Sequence, residues 1–338
     1  MNQVYIENFK SDGYGLFRVP SIVCTKKGTI ITAYECRRGG DWGEMDIGLR
    51  RSTDGGKTWS DRQNVGDSEN MFAMHNPVLL ALDDEVHLFY HKNYSEIWHR
   101  ISYDEGESWT APRDMTAVYR EIRTDYRWTV IAGGPGHSLV TKGGRIIIPV
   151  WMAHNTDAIY QHFPSAVTTI YSDDKGKTWH RGEVIPSSET LVDPNETAVL
   201  ELSDGRIMII MRHNTKNGMK MVAYSENGFS NWSGFHYEEN LCEPSCCVGV
   251  TRAKDKLWLT GCFCEIGKRD DLTLMKADGT GNNWEKTLVI DHDGGYSDIY
   301  YSEFDNSFYV VGETGRTSPT AMWTFSLSVT RIPIEEVI

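Results

Sequence analysis

The sequence predicts an all-β fold, a six-bladed β-propeller. Three observations carry the prediction. First, a pattern Ser-x-Asp-x-Gly-x-Ser/Thr-Trp, called a box below, occurs three times. Its Ser, Asp, Gly and Trp stand at Ser52, Asp54, Gly56 and Trp59, at Ser102, Asp104, Gly106 and Trp109, and at Ser172, Asp174, Gly176 and Trp179. Second, two weakened copies follow. One begins at Ser225 with Asn227-Gly228 at its turn, and one at Asp278 has an extra residue before Trp284. Third, the five copies begin at 52, 102, 172, 225 and 278, at intervals of 50, 70, 53 and 53 residues. A strand-rich unit of roughly 50 residues has the size of a four-stranded blade. The 338 residues hold about six of them.

Each box has its own local logic. An Asp two residues before a Gly makes a tight turn, because the carboxylate accepts backbone N–H groups and the Gly takes a positive φ without steric cost. The Trp then covers the turn. The flanking runs Ile47 to Arg51 and Val167 to Tyr171 read as strands, so the unit is a β-hairpin. Further strands are expected over 29–34, 145–151, 206–212 and 307–312, with turns at Asp204-Gly205 and Gly143-Gly144. The last run, 323–329, is expected to pair with the N-terminal part and close the ring. No stretch is rich enough in Pro, Gly or Ser to be a linker, so residues 1–338 read as a single propeller domain.

Bulk properties exclude several classes. A formal net charge of −13 argues against nucleic acid as a partner, since that needs a basic face. It leaves room for a local cationic cluster. No apolar run reaches the roughly 18 residues of a membrane span, so no membrane partner is expected. The N-terminus shows no basic region followed by an apolar stretch, and seven cysteines is an odd count. Both point to a reducing, cytoplasmic setting. Cys242, Cys246, Cys247, Cys262 and Cys264 are spaced poorly for zinc and read as buried thiols on neighbouring strands. His87 and His91 fall on one face of a strand and read as structural. With no phosphate-binding glycine loop either, neither a metal nor an organic cofactor is expected.

In a propeller, function needs polar residues at the ends of several inner strands. Arg18, in Phe17-Arg18-Val19-Pro20, is an odd residue for a core, although an edge-strand surface Arg explains it equally well. Phe-Arg-Val-Pro followed by repeated boxes resembles the sialidase (neuraminidase) superfamily over nearly the whole chain. That resemblance implies an arginine triad gripping the substrate carboxylate. Arg18 matches its first member. Arg212 follows a segment, Asn195-Glu196 to Arg206, that resembles the family's second, and Arg269, ahead of the last box-like hairpin, matches the third. Planar guanidiniums suit a carboxylate through charge-assisted, often bidentate hydrogen bonds.

The same carboxylate would repel an anionic nucleophile, and sialidases use Tyr instead. Tyr296, in Gly295-Tyr296-Ser297-Asp298, matches that Tyr, and Glu196 matches the carboxylate that takes its proton. By residue type alone, Tyr296 serves equally well as a half-buried strand Tyr. For the acid/base, Asp41 and Asp46 compete. The family's Asp lies about ten residues before the Arg that precedes the first box, and counting back from Arg51 selects Asp41, in a Gly-rich loop. Asp46 reads as structural. By the same resemblance Arg37 and Asn76 contact substrate, and Glu313 holds Arg18. The implied function is a retaining exo-sialidase acting on sialylated oligosaccharides or glycoconjugates. Two alternatives stand beside it: a hydrolase of another 2-keto-3-deoxy sugar acid or uronate, and a noncatalytic sialic-acid-binding propeller.

Overall fold

The computed structural model describes residues 1–65, 73–154, 162–263, 268–316 and 324–338. Their strands form six antiparallel sheets arranged as the blades of a propeller. The inner strands of the blades, in chain order, are Leu16–Cys24, Met74–Leu82, Val130–Gly133, Thr197–Glu201, Gly249–Ala253 and Ser297–Ser302. In the first blade Ile30–Arg37, Met45–Ser52 and Gln63–Asn64 follow outward, and the second to fifth blades repeat this order, the third with an extra short strand, Leu139–Val140, beside Ile146–Ala153. The sixth blade differs. Its outermost strand is Asn2–Glu7, which pairs with Thr324–Pro333, so the two ends of the chain close the ring as expected.

Apolar faces of neighbouring blades make the core. Between the first two, Val23, Ile31 and Leu49 meet Leu79, Leu88 and Tyr90, all fully or nearly fully buried. Burying one such aliphatic side chain is worth about 1.5–3 kcal/mol. The expected strands over 29–34, 145–151, 206–212 and 307–312 all form, as Ile30–Arg37, Ile146–Ala153, Ile207–Met211 and Ser307–Arg316.

Registers give the two ends of the ring different contents. Arg18 pairs with Glu35, whereas Cys24 pairs with Ile30, which in turn pairs with Ser52. The first box therefore lies at the far end of the blade from Arg18. In each full box the Ser hydroxyl donates to the Asp (2.8 Å in all three) and accepts the Gly N–H at 3.0, 2.8 and 2.9 Å. The Asp also accepts the Thr58, Ser108 and Thr178 N–H groups at 3.0, 2.8 and 2.8 Å. These bonds, led by those from the Thr and Ser hydroxyls, pull Asp54, Asp104 and Asp174 down to about 2. The box glycines take φ of 81°, 81° and 83°, as the turn chemistry requires.

Two details depart from the sequence reading. A helix, Thr116–Ile122, follows the second box and buries Val118, Tyr119 and Ile122. It is too short to show a helical period. Cys246 and Cys247 lie on the loop between Ser233–Cys242 and Gly249–Ala253 rather than on strands, although both are buried free thiols, as is Cys262. Cys264 and Trp323 lie outside the described residues.

Candidate active site

Two inner strands bend sharply at the same end of the ring. Val19 (φ 52°) precedes Pro20, and Asn76 (φ 45°) precedes Pro77. Both residues are left-handed, which is costly for a β-branched Val and disfavoured before proline. Each bend breaks the strand register, so each freed N–H needs another acceptor. A buried glutamate supplies it in both cases: Val19 N–H donates to Glu313 at 2.9 Å, and Asn76 N–H donates to Glu35 at 2.8 Å.

Each glutamate also holds an arginine. Arg18 donates to Glu313 through Nε at 3.1 Å and Nη2 at 3.2 Å. Arg37 donates to Glu35 through Nε at 2.7 Å and also through Nη2. Burial, the largest single influence, works against the charge on Arg18 and Arg37, but the surrounding groups, led by Glu313 for Arg18 and by Glu35 and Asp41 for Arg37, together raise both pKa values. Glu35, buried and two residues from Arg37, was missed by the sequence reading. The signal was present, because residues two apart on a strand share a face.

Tyr296 stands at the head of the sixth inner strand, its N–H on Glu313 at 3.1 Å. Its hydroxyl donates to Glu196 at 2.7 Å (Oε1) and 2.5 Å (Oε2) and accepts from Arg212 Nη1 at 2.7 Å. Arg212 Nη1 also reaches Glu196. The guanidiniums of Arg269 and Arg18 lie 4.8 and 5.1 Å from the centre of the Tyr296 ring. Burial lifts the Tyr296 hydroxyl well above its ordinary pKa, and Glu196 adds to this while Arg212 and Arg269 oppose it. The phenol is therefore neutral in the free protein, with a carboxylate in contact to take its proton.

Asp41 is half-exposed and forms an ion pair with Arg37. Burial, the largest single influence, would raise its pKa, but the charge and hydrogen bond of Arg37 together with the charge of Arg18 lower it. Asp46 is buried, accepting from the Tyr14 hydroxyl at 2.5 Å and Arg38 at 3.1 Å. It is tied into the sheet, as the sequence reading assigned.

All nine predicted residues share one mouth. Arg18, Glu313, Tyr296, Glu196 and Arg212 are joined by hydrogen bonds, Arg269 stacks on the Tyr296 ring, and Asn76, Arg37 and Asp41 are joined through Glu35. The structure adds supports that the sequence did not show. Lys220 and Glu243 form a fully buried pair at 2.7 Å, and Lys220 also donates to the Cys246 carbonyl at 2.8 Å. That fixes the loop whose Cys246 and Cys247 pack against Tyr296 and Val19. His91 meets the Asn76 carbonyl (3.1 Å) through Nδ1, and the Tyr119 hydroxyl (2.8 Å) and Gly133 N–H (2.9 Å) through Nε2.

Residues 28–310 match the BNR repeat-like domain family. The chain is a BNR-repeat protein of the sialidase superfamily. A sialidase of Bacteroides fragilis is 25% identical over 327 residues, covering 86% of this chain and 56% of that protein. One from Micromonospora viridifaciens is 25% identical over 270 residues, covering 72% and 40%. This BNR-repeat chain thus spans about half the length of the curated relatives it matches. Among solved structures, the Hadza microbial sialidase Hz136 superposes with a TM-score of 0.81 at 20% identity, over 99% of this chain and 69% of that one. The Trypanosoma rangeli sialidase, solved with 2,3-difluorosialic acid as a covalent intermediate, gives 0.78 at 17%, over 99% and 59%. At such identities the superpositions show a shared propeller.

Proposed function

We propose that this protein is a retaining exo-sialidase that removes terminal α-linked sialic acid with Tyr296 as nucleophile. The observation that carries the reading is the Tyr296 hydroxyl on Glu196, ringed by Arg18, Arg212 and Arg269. A neutral phenol avoids the repulsion that a carboxylate nucleophile would meet from the substrate's own carboxylate. Glu196 takes the phenolic proton as the Tyr296 oxygen attacks the anomeric carbon. Asp41, entering protonated, gives its proton to the leaving oxygen; it then takes one from the water that releases the sugar. Two displacements at one carbon retain configuration. Arg18, Arg212 and Arg269 bind the carboxylate, while Arg37 and Asn76 meet the rest of the ring.

The test is turnover of an aryl α-sialoside with the first-formed anomer followed by NMR. The expected outcome is α-sialic acid from the wild type and almost none from Tyr296→Phe. Wild-type-like turnover by Tyr296→Phe would remove the nucleophile assignment. Sialic acid bound without turnover by the wild type would favour a lectin.

A further inference from the structure

The inner strands that carry the site at one mouth run on to a second mouth at the other end of the ring. Glu196 precedes Thr197–Glu201, which ends on Glu201; Tyr296 precedes Ser297–Ser302, which carries Tyr300. Five residues of strand span about 16 Å. Between the mouths lies Asp298. It is buried and accepts the N–H groups of Ile22 (3.0 Å), His137 (2.9 Å) and Ile299 (2.9 Å). Gly249 lies so close to its backbone that a Cβ there would come within 2.5 Å of the Asp298 Cα. None of the nine candidate-site residues lines the cavity at the second mouth.

The second mouth holds a cavity of about 640 Å³ lined by Arg252, His137, Glu201, Glu303, Tyr300 and Phe304, among others. That volume is in the range of small-molecule sites. Arg252 Nη1 is buried without a hydrogen-bond partner, and no ion pair involves Arg252 among the described residues. A buried unpaired guanidinium nitrogen is expensive, whereas a carboxylate would satisfy the fork. His137 donates Nδ1 to Asp298 at 2.9 Å, leaving Nε2 for a ligand. Glu201 and Glu303 are acceptors of the kind that hold hydroxyl groups. The Tyr300 ring lies edge-on to His137 at 5.2 Å, and Phe304 is 67% exposed, offering an apolar platform. Two lysines also line the cavity: Lys26 is paired with Asp83 at 3.1 Å, and Lys142 sits beside Glu201, its backbone N–H on Glu201 Oε2 at 2.8 Å.

We infer that the second mouth is a binding site for a polyhydroxylated carboxylate, a sugar acid, with its carboxylate on Arg252. The inference is independent of the catalytic reading. Each mouth has its own reporter, Tyr296 or Tyr300. In protein carrying ¹³C-labelled tyrosine, sodium glucuronate should move the Tyr300 ring resonances with a millimolar Kd. Arg252→Ala should weaken that response at least ten-fold while leaving the Tyr296 response and aryl sialoside turnover unchanged. Methyl glucoside, which lacks the carboxylate, should bind at least ten-fold more weakly. If Arg252→Ala fails to fold, Phe304→Ala, at an exposed position, should also weaken the Tyr300 response. A Tyr300 signal unmoved by glucuronate up to about 10 mM, or equal responses to glucuronate and methyl glucoside, overturns the proposal.

Discussion

The two ends of the propeller solve opposite problems. At the box end, one hydrogen-bond pattern is built three times over from residues within seven positions of each other, and the aspartates are solvent-exposed. At the Tyr296 end only the glutamate-held arginine and strand bend occur twice, and the decisive contacts are long-range. Glu313 joins Arg18 across 295 residues, and Tyr296 joins Glu196 across 100. Local repeats tolerate damage, because each box closes its own turn and the fourth still forms with Asn227 in place of Asp. The site depends on the whole ring, since every blade's position sets where a single side chain arrives.

That contrast can be tested from its strongest side first. Glu196→Gln should lower kcat on an aryl sialoside by about 10²–10⁴ without lowering the thermal midpoint. A loss of both together would mean that Glu196 is structural. Lys220→Met should cost about 3–5 kcal/mol in a urea titration, because it leaves Glu243 charged and buried without its partner. A loss below about 1 kcal/mol would show that the loop beneath Tyr296 stands without this pair.

The lowered pKa of Asp41 gives a pH test with a definite sign. The protonated acid becomes more abundant as pH falls, so kcat/KM for a sialoside with a poor, alkyl leaving group should rise toward acid. A nitrophenyl leaving group, which needs little protonation, should respond less. Identical profiles for the two substrates would remove Asp41 from the acid role.

The smallest effect belongs to the boxes. A carboxylate with a depressed folded-state pKa contributes stability above its ordinary value near 4 and loses it as pH falls through the folded value. For Asp54, Asp104 and Asp174 that window runs from about 4 down to about 2. The triple variant D54N, D104N, D174N should therefore lose less stability than the wild type when urea titrations at neutral pH are repeated in acid. Its kcat at neutral pH should match the wild type. A fall in kcat would couple the two ends of the ring.

The same contrast explains what the sequence could reveal. The boxes are local, so their spacing gave the blade count and their turn chemistry gave the φ values. Asp41 was separated from Asp46 by counting from the first box, and the structure puts Asp46 under Tyr14 and Arg38, away from the Tyr296 cluster. Lys220 and Glu243 escaped attention because their pairing is set by tertiary packing, and Glu35 because its strand neighbour Arg37 was read only toward substrate. No short motif marks a buried Lys that meets a Glu 23 residues on. The helix Thr116–Ile122 was missed because seven residues give only two turns.

Glu35 and Glu313 have a consequence for anyone who would move this chemistry elsewhere. Each seats an arginine and stitches a bent strand with the same carboxylate, so the guanidinium and the bend are one part with two surfaces. Copying only the arginines onto another propeller would deliver cations without a seat and strands without a reason to bend. The smallest transplantable piece is the arginine, the proline-led kink and the glutamate together, and two of the three come from different strands of the ring.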